Sequence, residues 1–402
     1  MTGLRLQERL REAFVPEARE AEERGWRVVH AAFEGRHPVH VRPRVNRLAF
    51  AFALALLVAG VALSPAGAKV VDLVRDAVEP GSENARPALT SLPAPGRLLV
   101  TSHEGPWIVD QDGSQRLLGA YEEAAWSPSG LFVAVARGRR LTAVDPVGTV
   151  RWSLAARRPV NELAWSPSGI RVAYVSGRSL RVVAGDGTDD RQLLDRVASI
   201  APAWRPLSEP LPPGQVAIGP RTNVLAYADR ASRVTVRDVD AGRVLWRSHR
   251  YAAPIRELQW STDRSRLLVR AGSFVDFLDS RGHTLSRVRW PTLGASMSFD
   301  SKRTAFVRLA KNGRSDVLIA GRYGEGPARH VLTRRGRITD PSWSPDGRWL
   351  LVSRPGADQW LFIRPSRPVR VETVANISRQ FAPGATGRLA FPEISGWCRC
   401  ER

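Results

Sequence analysis

The chain has 402 residues and a net charge of +21, which is carried almost wholly by arginine. Such a charge favours anionic partners such as phosphate polymers or acidic lipids, although a solvated surface shaped by codon usage explains it equally well. No arginine cluster with interleaved aromatic residues is present, so nucleic acid is not expected as a partner. The only cysteines, Cys398 and Cys400, are too few for a disulfide framework and lack zinc-ligand spacing, which leaves a free or locally paired tail.

Residues 1–47 are predicted to form a small helical head. Apolar residues recur there at helical spacing in two stretches, the second of which follows Pro16. Two short amphipathic helices bury little on their own, so their apolar stripes require a membrane surface or a partner. The candidate partner-binding residues are Trp26, Val29 and Phe33, and a passive juxtamembrane helix is the alternative.

A transmembrane helix is predicted over residues 48–68. This stretch contains no charged residue, and a helix of that length spans roughly 31 Å, enough to cross the hydrocarbon core of a bilayer. Residues 36–47 contain four arginines and no acidic residue, whereas the charges after residue 68 are mixed. The positive-inside rule therefore predicts a single-pass protein with a cytoplasmic N-terminus and an extracytoplasmic C-terminal part.

Cleavage of a signal peptide is the rival interpretation of this stretch. Ala66-Gly67-Ala68 fits the small-x-small pattern of a cleavage site, and cleavage after Ala68 would release a secreted protein. The 47 residues that precede the apolar stretch are far more than a basic leader needs. Residues 69–95 follow as a juxtamembrane segment and a linker rich in proline and serine.

An internal repeat of roughly 40 residues fills most of the remaining chain. In each copy an apolar stretch ends on an aromatic residue and turns sharply into another apolar stretch. The predicted structural anchors are Trp126, Trp165, Trp204, Trp260, Phe299, Trp343 and Phe381.

The turn after each anchor has the chemistry of a hairpin. In Trp343-Ser-Pro-Asp-Gly, proline sets φ for the second turn position, aspartate caps the turn and glycine tolerates positive φ. Two further short strands follow each hairpin, which makes four strands per repeat. This pattern predicts an all-β fold, a β-propeller of four-stranded blades, over residues 96–392, with 393–402 as a C-terminal tail.

The blade number depends on how the two ends of the repeat meet. The first strand, which begins at Gly96, lacks an upstream anchor, so the strand ending near Phe381 is expected to complete its blade and give seven blades. The apolar stretch 387–391 would then be surplus, which leaves six or eight blades as alternatives. The longest gap between anchors holds residues 207–222, a proline-rich insertion that is either a binding loop or padding.

These repeats resemble the TolB-type, WD-repeat-like β-propeller family, whose hallmark is the Trp-Ser-Pro-Asp-Gly turn before an apolar strand. The resemblance covers about residues 96–392 and is strongest at Trp126, Trp165 and Trp343. It implies a binding platform in the bacterial envelope or a gate before a peptidase domain. In that family the turn residues are scaffold rather than site.

The sequence offers no catalytic, cofactor or metal motif. It lacks Gly-x-Ser-x-Gly, a phosphate-binding loop and His-Glu-x-x-His. Aspartates at 110, 186 and 238 stand where hairpins turn, and their spacing lacks the further oxygens that calcium needs. We expect no cofactor.

Together these features predict a non-enzymatic, membrane-anchored, extracytoplasmic propeller that binds a protein or an anionic envelope ligand. One alternative is a transmembrane signalling regulator whose head binds a cytoplasmic partner. The other is a hydrolase whose site lies in the propeller channel, where side chains converge from distant repeats.

Overall fold

The computed structural model of the protein describes residues 85–208, 222–384 and 389–400. The chain divides into two compact units, residues 1–75 and 76–402, and the described residues belong to the second. The predicted head with Trp26, Val29 and Phe33 and the predicted span 48–68 lie outside the described residues. Within the described ranges, no helix combines the length and the apolar character that crossing a membrane requires.

The described chain forms seven antiparallel sheets of four strands each, so the prediction of an all-β propeller with four-stranded blades is confirmed. Blade 1 contains β28 and β1–β3, blade 2 contains β4–β7, and the remaining strands follow in fours to blade 7, which contains β24–β27. The strand bounds are β1 Arg97–Ser102, β2 Gly105–Val109, β3 Gln115–Leu117, β4 Glu123–Trp126, β5 Val133–Arg137, β6 Arg140–Val144, β7 Val150–Ala155, β8 Val160–Trp165, β9 Arg171–Ser176, β10 Ser179–Ala184, β11 Arg191–Asp195, β12 Ala203–Trp204, β13 Val224–Ala228, β14 Arg233–Asp238, β15 Arg243–Arg250, β16 Ile255–Trp260, β17 Leu267–Ala271, β18 Phe274–Leu278, β19 Thr284–Val288, β20 Thr292–Met297, β21 Thr304–Leu309, β22 Arg314–Ala320, β23 Arg329–Arg335, β24 Thr339–Trp343, β25 Leu350–Arg354, β26 Gln359–Arg364, β27 Arg370–Ala375 and β28 Glu393–Cys398.

We call the four strands of each blade A to D, with β28 as strand A of blade 1. Strands A contact one another in six of the seven pairs of neighbouring blades, which places them around the central channel. Because neighbouring strands run antiparallel, the A–B and C–D turns lie on one face of the propeller, here the AB face. The B–C turns and the connections from strand D to the next strand A lie on the opposite face, here the DA face.

The ring is closed by the two ends of the propeller, but not by the predicted strand. Strand β28 pairs with β1 in the register Leu98↔Trp397, and residues 393–398 therefore belong to the propeller rather than to a tail. The prediction that the strand ending near Phe381 closes the ring is wrong. Residues Ile377–Gln380 form the short helix α1, and Phe381 is buried against the ring of Trp360, with centroids 5.2 Å apart. Phe381 follows an apolar pattern in the sequence because it packs into the hydrophobic core, not because it ends a strand.

Five of the predicted anchors end strand A of their blades: Trp126, Trp165, Trp204, Trp260 and Trp343. Phe299 does not, because β20 ends at the buried Met297 and Phe299 is 45% exposed in the turn that follows. The anchor of blade 6 is therefore Met297, and the anchor of blade 1 is the buried Trp397.

A serine after the anchor fixes the A–B turn in five blades. Its hydroxyl accepts a hydrogen bond from the backbone N–H five residues later, at 2.9 to 3.1 Å. These serines are Ser127, Ser166, Ser261, Ser298 and Ser344. In blades 5 to 7 the hydroxyl also donates to the aspartate two residues further on. The repeated sequence is thus a fold determinant, because it satisfies turn donors that would otherwise be left without a partner.

The end of the predicted linker is part of the folded domain. Leu89, Leu92 and Ala94 are buried in a cluster with Trp360 and Trp397, between blades 7 and 1. These side chains seal the junction at which the N- and C-terminal strands meet, so the spacer to this domain ends before residue 85.

Candidate functional site

A groove of about 1010 Å³ lies on the AB face between blades 2 and 3. Its apolar wall comes from turns of both blades: Leu131 and Phe132 from one A–B turn, Val147 from a C–D turn, and Ile170 from the next A–B turn. Leu131 and Val147 are 48% and 64% exposed. These apolar side chains lie in turns and are not needed for the hydrophobic core. Exposed apolar surface of this kind is typical of a binding site for a partner.

The groove is held open by the contacts of Trp152. Its indole N–H donates to the carbonyl of Gly185 at 2.7 Å. A Cβ at Gly187, where φ is +88°, would lie 2.8 Å from the indole ring, so only glycine permits this approach. Beside it, Phe132 stacks on Trp165 with centroids 6.2 Å apart and planes inclined by 15°. The groove is therefore preformed.

The charged groups at the rim of the groove are already occupied. Asp145 accepts hydrogen bonds from the backbone N–H of Thr149 at 2.8 Å and from Arg151 at 2.8 Å. Burial alone would raise the pKa of Asp145, but these hydrogen bonds outweigh it and lower the pKa. Arg171 pairs with Asp240 at 3.1 Å. With the rim charges paired, the apolar wall is the part of the groove that a ligand would desolvate.

The insertion 207–222 begins next to this groove. It leaves blade 4 at the A–B turn after Trp204, on the AB face, and residues 209–221 lie outside the described part of the chain. Asn223, at its far end, donates to Asp240 at 2.6 Å, and Asp240 also holds Arg171 of the groove. The base of the insertion and the rim of the groove thus share one carboxylate.

A second cavity of about 620 Å³ lies on the AB face between blades 7 and 1. Its wall includes the ion pair between Arg97 and Asp110, 2.9 Å apart, and residues Pro345 and Arg399. Cys398 and Cys400 form a disulfide beside it. The local pairing that the sequence left open is therefore present, and this cavity is more polar than the groove.

Three glutamates meet at the DA-face end of the channel: Glu123, Glu162 and Glu393, from strands A of blades 2, 3 and 1. Burial, and then the charges of Glu162 and Glu393, raise the pKa of Glu123 to about 7. Burial also raises the pKa of Glu162, against a hydrogen bond from Ser199. Among the residues that the structure describes, no group of three His, Cys, Asp or Glu is arranged to hold a metal ion.

Two of the three predicted turn aspartates, Asp186 and Asp238, accept hydrogen bonds from the backbone of their turns. Asp110 instead pairs with Arg97, 2.9 Å away, and its neighbour Asp112 serves that turn. Asp186 accepts from the N–H of Thr188 at 3.0 Å, Asp112 from Ser114 at 3.0 Å, and Asp238 from Ala241 at 3.1 Å. The tryptophan anchors are buried or half-buried scaffold. The groove could not be predicted from the sequence, because its wall comes from four separate turns. Apolar residues at turn positions, such as Leu131 and Val147, were the one feature of the sequence that could have indicated it.

Fold and surface together define a seven-bladed β-propeller with preformed cavities on one face. Residues 284–382, from β19 to just beyond α1, match the family described as the lipoprotein LpqB beta-propeller domain. No curated protein matches the chain.

One solved structure supports the fold, and two more show a weaker similarity. The C-terminal WD40 domain of Sif2 is similar with a TM-score of 0.51 and 12% identity, over 70% of this chain and 82% of that one. A chain of a mitotic checkpoint complex has a TM-score of 0.49 and 16% identity, over 62% and 76% of the two chains. The Swd1 propeller of Myceliophteria thermophila has a TM-score of 0.47 and 11% identity, over 60% and 82%. At 12% identity the likeness to the Sif2 domain shows the fold alone.

Proposed function

We propose that this protein is a non-enzymatic, membrane-anchored propeller that binds a protein or anionic ligand of the bacterial envelope on its AB face. The observation that carries the proposal is the preformed apolar groove between blades 2 and 3. A rigid pocket loses little conformational entropy on binding, so the apolar area it buries contributes more fully to affinity. Rim charges that are already paired favour an uncharged or amphipathic segment in the groove itself.

Anchoring belongs to the same proposal. Residues 48–68 would cross the cytoplasmic membrane and hold the propeller outside. The matched family is named for a lipoprotein, which fits a propeller kept at a membrane. Cleavage after Ala68 is the alternative that a topology map decides.

Site-specific photo-crosslinking tests the groove. A photoreactive residue at Val147 of the full chain, expressed in cells, should give a discrete adduct that disappears when Leu131→Asp is added. Leu309, 48% exposed on the DA face, is the matched control position and should give no such adduct. Identical adducts from both positions, or none from Val147, would contradict the proposal.

Reporter fusions before Arg47 and after Lys69, with the size of the mature chain, test the anchoring. We expect a cytoplasmic signal from the first fusion, an extracytoplasmic signal from the second, and an uncleaved chain. A mature chain that begins after residue 68 would refute the anchor and leave the groove untouched.

Signal relay across the membrane is the second candidate function, because the head carries an apolar stripe that needs a partner. Trp26, Val29 and Phe33 would form that contact. Full-length protein should retain a cytoplasmic partner through purification and lose it on Trp26→Ala. If wild type and variant retain the same proteins, the head is a passive helix.

A further inference from the structure

A continuous band of exposed arginines crosses the DA face of blades 2 and 3 and reaches blade 4. We call it the arginine arc, and it consists of Arg139, Arg140, Arg157, Arg158, Arg178 and Arg196. We infer that the arginine arc binds the phosphate headgroups of anionic lipids at a membrane surface. The inference extends the proposed function, since it rests on a propeller held close to a bilayer.

Hydrogen bonds between successive turns join the arc into one surface. The B–C turn of blade 2 meets the next connection where the N–H of Ala156 donates to the carbonyl of Arg139 at 2.7 Å. The hydroxyl of Ser176 donates to the carbonyl of Arg158 at 3.0 Å. The N–H of Val197 donates to the carbonyl of Arg178 at 3.1 Å. Each link brings arginines of one turn beside those of the following connection.

Side-chain packing supports the same continuity. A Cβ at Gly177 would lie 2.5 Å from Cδ of Arg158, so the Arg158 side chain lies directly over the turn that contains Arg178. At the far end, the N–H of Arg230 in blade 4 donates to the carbonyl of Arg196 at 3.1 Å. The arc therefore crosses two blade boundaries without a break.

The charges of the arc are not neutralised by ion pairs within the described residues. Two acidic side chains at the edge of the arc accept hydrogen bonds from other groups. Glu122 accepts from the N–H of Gly138 at 3.0 Å. Asp195 accepts from the hydroxyl of Ser179 at 2.5 Å and from the amide of Gln192 at 3.1 Å. Six guanidinium groups are thus presented to solvent on one face.

The chemistry of the arc matches phosphate esters. A guanidinium group donates two parallel hydrogen bonds to phosphate oxygens, and several arginines near an anionic surface add their attractions. No aromatic side chain stands between these arginines in the turns 137–140, 156–159 and 177–179, so there is no platform on which bases could stack. This favours lipid headgroups over single-stranded nucleic acid.

The course of the chain points to the same face. At the start of the described region, the N–H of Arg86 donates to the carbonyl of Thr373 at 2.9 Å, near the end of β27 where blade 7 reaches the DA face. Residues 69–84 span at most roughly 55 Å when fully extended. The described chain therefore joins the propeller at the face that presents the arc.

Hydrogen exchange on the full chain in nanodiscs tests this inference. Discs of phosphatidylcholine alone are compared with discs that also contain phosphatidylglycerol. Amide exchange in the turns 137–140, 156–159 and 177–179 should slow by about threefold or more in the anionic discs only, and high salt should abolish the difference. Equal exchange in both kinds of disc would overturn the inference.

Two matched variants separate the arc from general charge. The first combines Arg139→Gln, Arg158→Gln, Arg178→Gln and Arg196→Gln, and should lose the lipid-dependent protection. The second removes the same charge from exposed AB-face positions by Arg281→Gln, Lys302→Gln, Arg348→Gln and Arg367→Gln, and should keep it. Unchanged exchange of the buried strands in both variants shows that they fold. The proposal that the arginine arc binds lipid would be refuted if both variants lost the lipid-dependent protection, or if the first variant retained it.

Two further results separate the sources of failure. If soluble polyphosphate protects these turns while phosphatidylglycerol does not, the arc binds free polyanions and the lipid assignment is wrong. If the topology map shows a cleaved chain, vesicles of the two compositions added to that soluble chain test the arc directly, so failure of the anchor and failure of the arc remain distinct.

Discussion

Three arginines that line the cavities of the AB face are held by aspartates, whereas those of the arginine arc on the DA face have no ion-pair partner among the described residues. Arg151 is 2.8 Å from Asp145, Arg171 is 3.1 Å from Asp240, and Arg97 is 2.9 Å from Asp110. The arginines that carry the net charge of +21 are therefore in different environments on the two faces. On one face charge fixes the walls of cavities, and on the other it is available to a partner.

The largest expected effect concerns the anchor at the AB-face end of β24. Trp343 is 2% exposed, its indole N–H donates to Ser296 at 3.0 Å, and Arg303 lies 4.9 Å over the ring. Trp343→Ala should lower the free energy of unfolding by about 3–5 kcal/mol. The control is Phe299→Ala at the exposed turn position, for which we expect less than about 0.5 kcal/mol.

Urea unfolding of both variants measures the difference. Comparable losses would mean that Phe299, not Met297, supports blade 6. A small loss in the free energy of unfolding for Trp343→Ala would mean that the stability of the propeller does not depend on the aromatic anchors.

The second prediction concerns the channel mouth on the DA face. Glu123 has a folded-state pKa of about 7, above the ordinary value of 4.5, so the folded state holds this proton more tightly than the unfolded state. Below pH 4.5 the carboxyl group of Glu123 is protonated in both states and does not lower the free energy of unfolding. As the pH rises from 4.5 towards 7 the free energy of unfolding falls, and above pH 7 the full loss is present. Glu123→Gln should therefore gain roughly 1–2 kcal/mol over wild type at pH 8 and nothing at pH 4, after allowing for solvent screening.

Urea midpoints at the two pH values measure this gain. Glu325→Gln removes one carboxyl group at an exposed turn outside the channel and is the control for loss of charge alone. A gain from Glu123→Gln that is equal at both pH values would show that the carboxyl group does not titrate as proposed.

Local turn chemistry explains how much of the fold the sequence could predict. Trp-Ser-Pro-Gly turns specify hairpins through contacts within six residues, and they predicted the blades. Met297 was missed because it is not aromatic, and β28 because Trp397 precedes Cys-Arg-Cys instead of the usual turn. The groove and the arginine arc were missed for a different reason. Their members are far apart in sequence, and only the pairing of B–C turns with the following connections brings Arg139 beside residue 156 and Arg158 beside Gly177.

The third prediction concerns the rim of the groove. Arg151 is 54% exposed at its side chain, so its ion pair with Asp145 lies mostly in water. Arg151→Gln should cost no more than about 0.5–1 kcal/mol in the free energy of unfolding. The crosslinking yield from Val147 should stay close to wild type, because the apolar wall is intact. A larger loss of stability, or a lost adduct, would show that the paired rim itself forms part of the binding surface.

The smallest effect on the free energy of unfolding is expected for substitutions in the arginine arc, although these should have the largest effect on lipid binding. The fourfold arginine-to-glutamine variant of the arc removes exposed side chains with no ion-pair partner among the described residues, so its free energy of unfolding should lie within about 0.5 kcal/mol of wild type. Removing four like charges also relieves repulsion, which makes a small gain the expected sign at low salt. Urea unfolding at low and high salt measures both terms. A loss of more than about 1 kcal/mol would mean that these arginines support the turns they cover, and lost lipid protection in that variant would then reflect structure rather than charge.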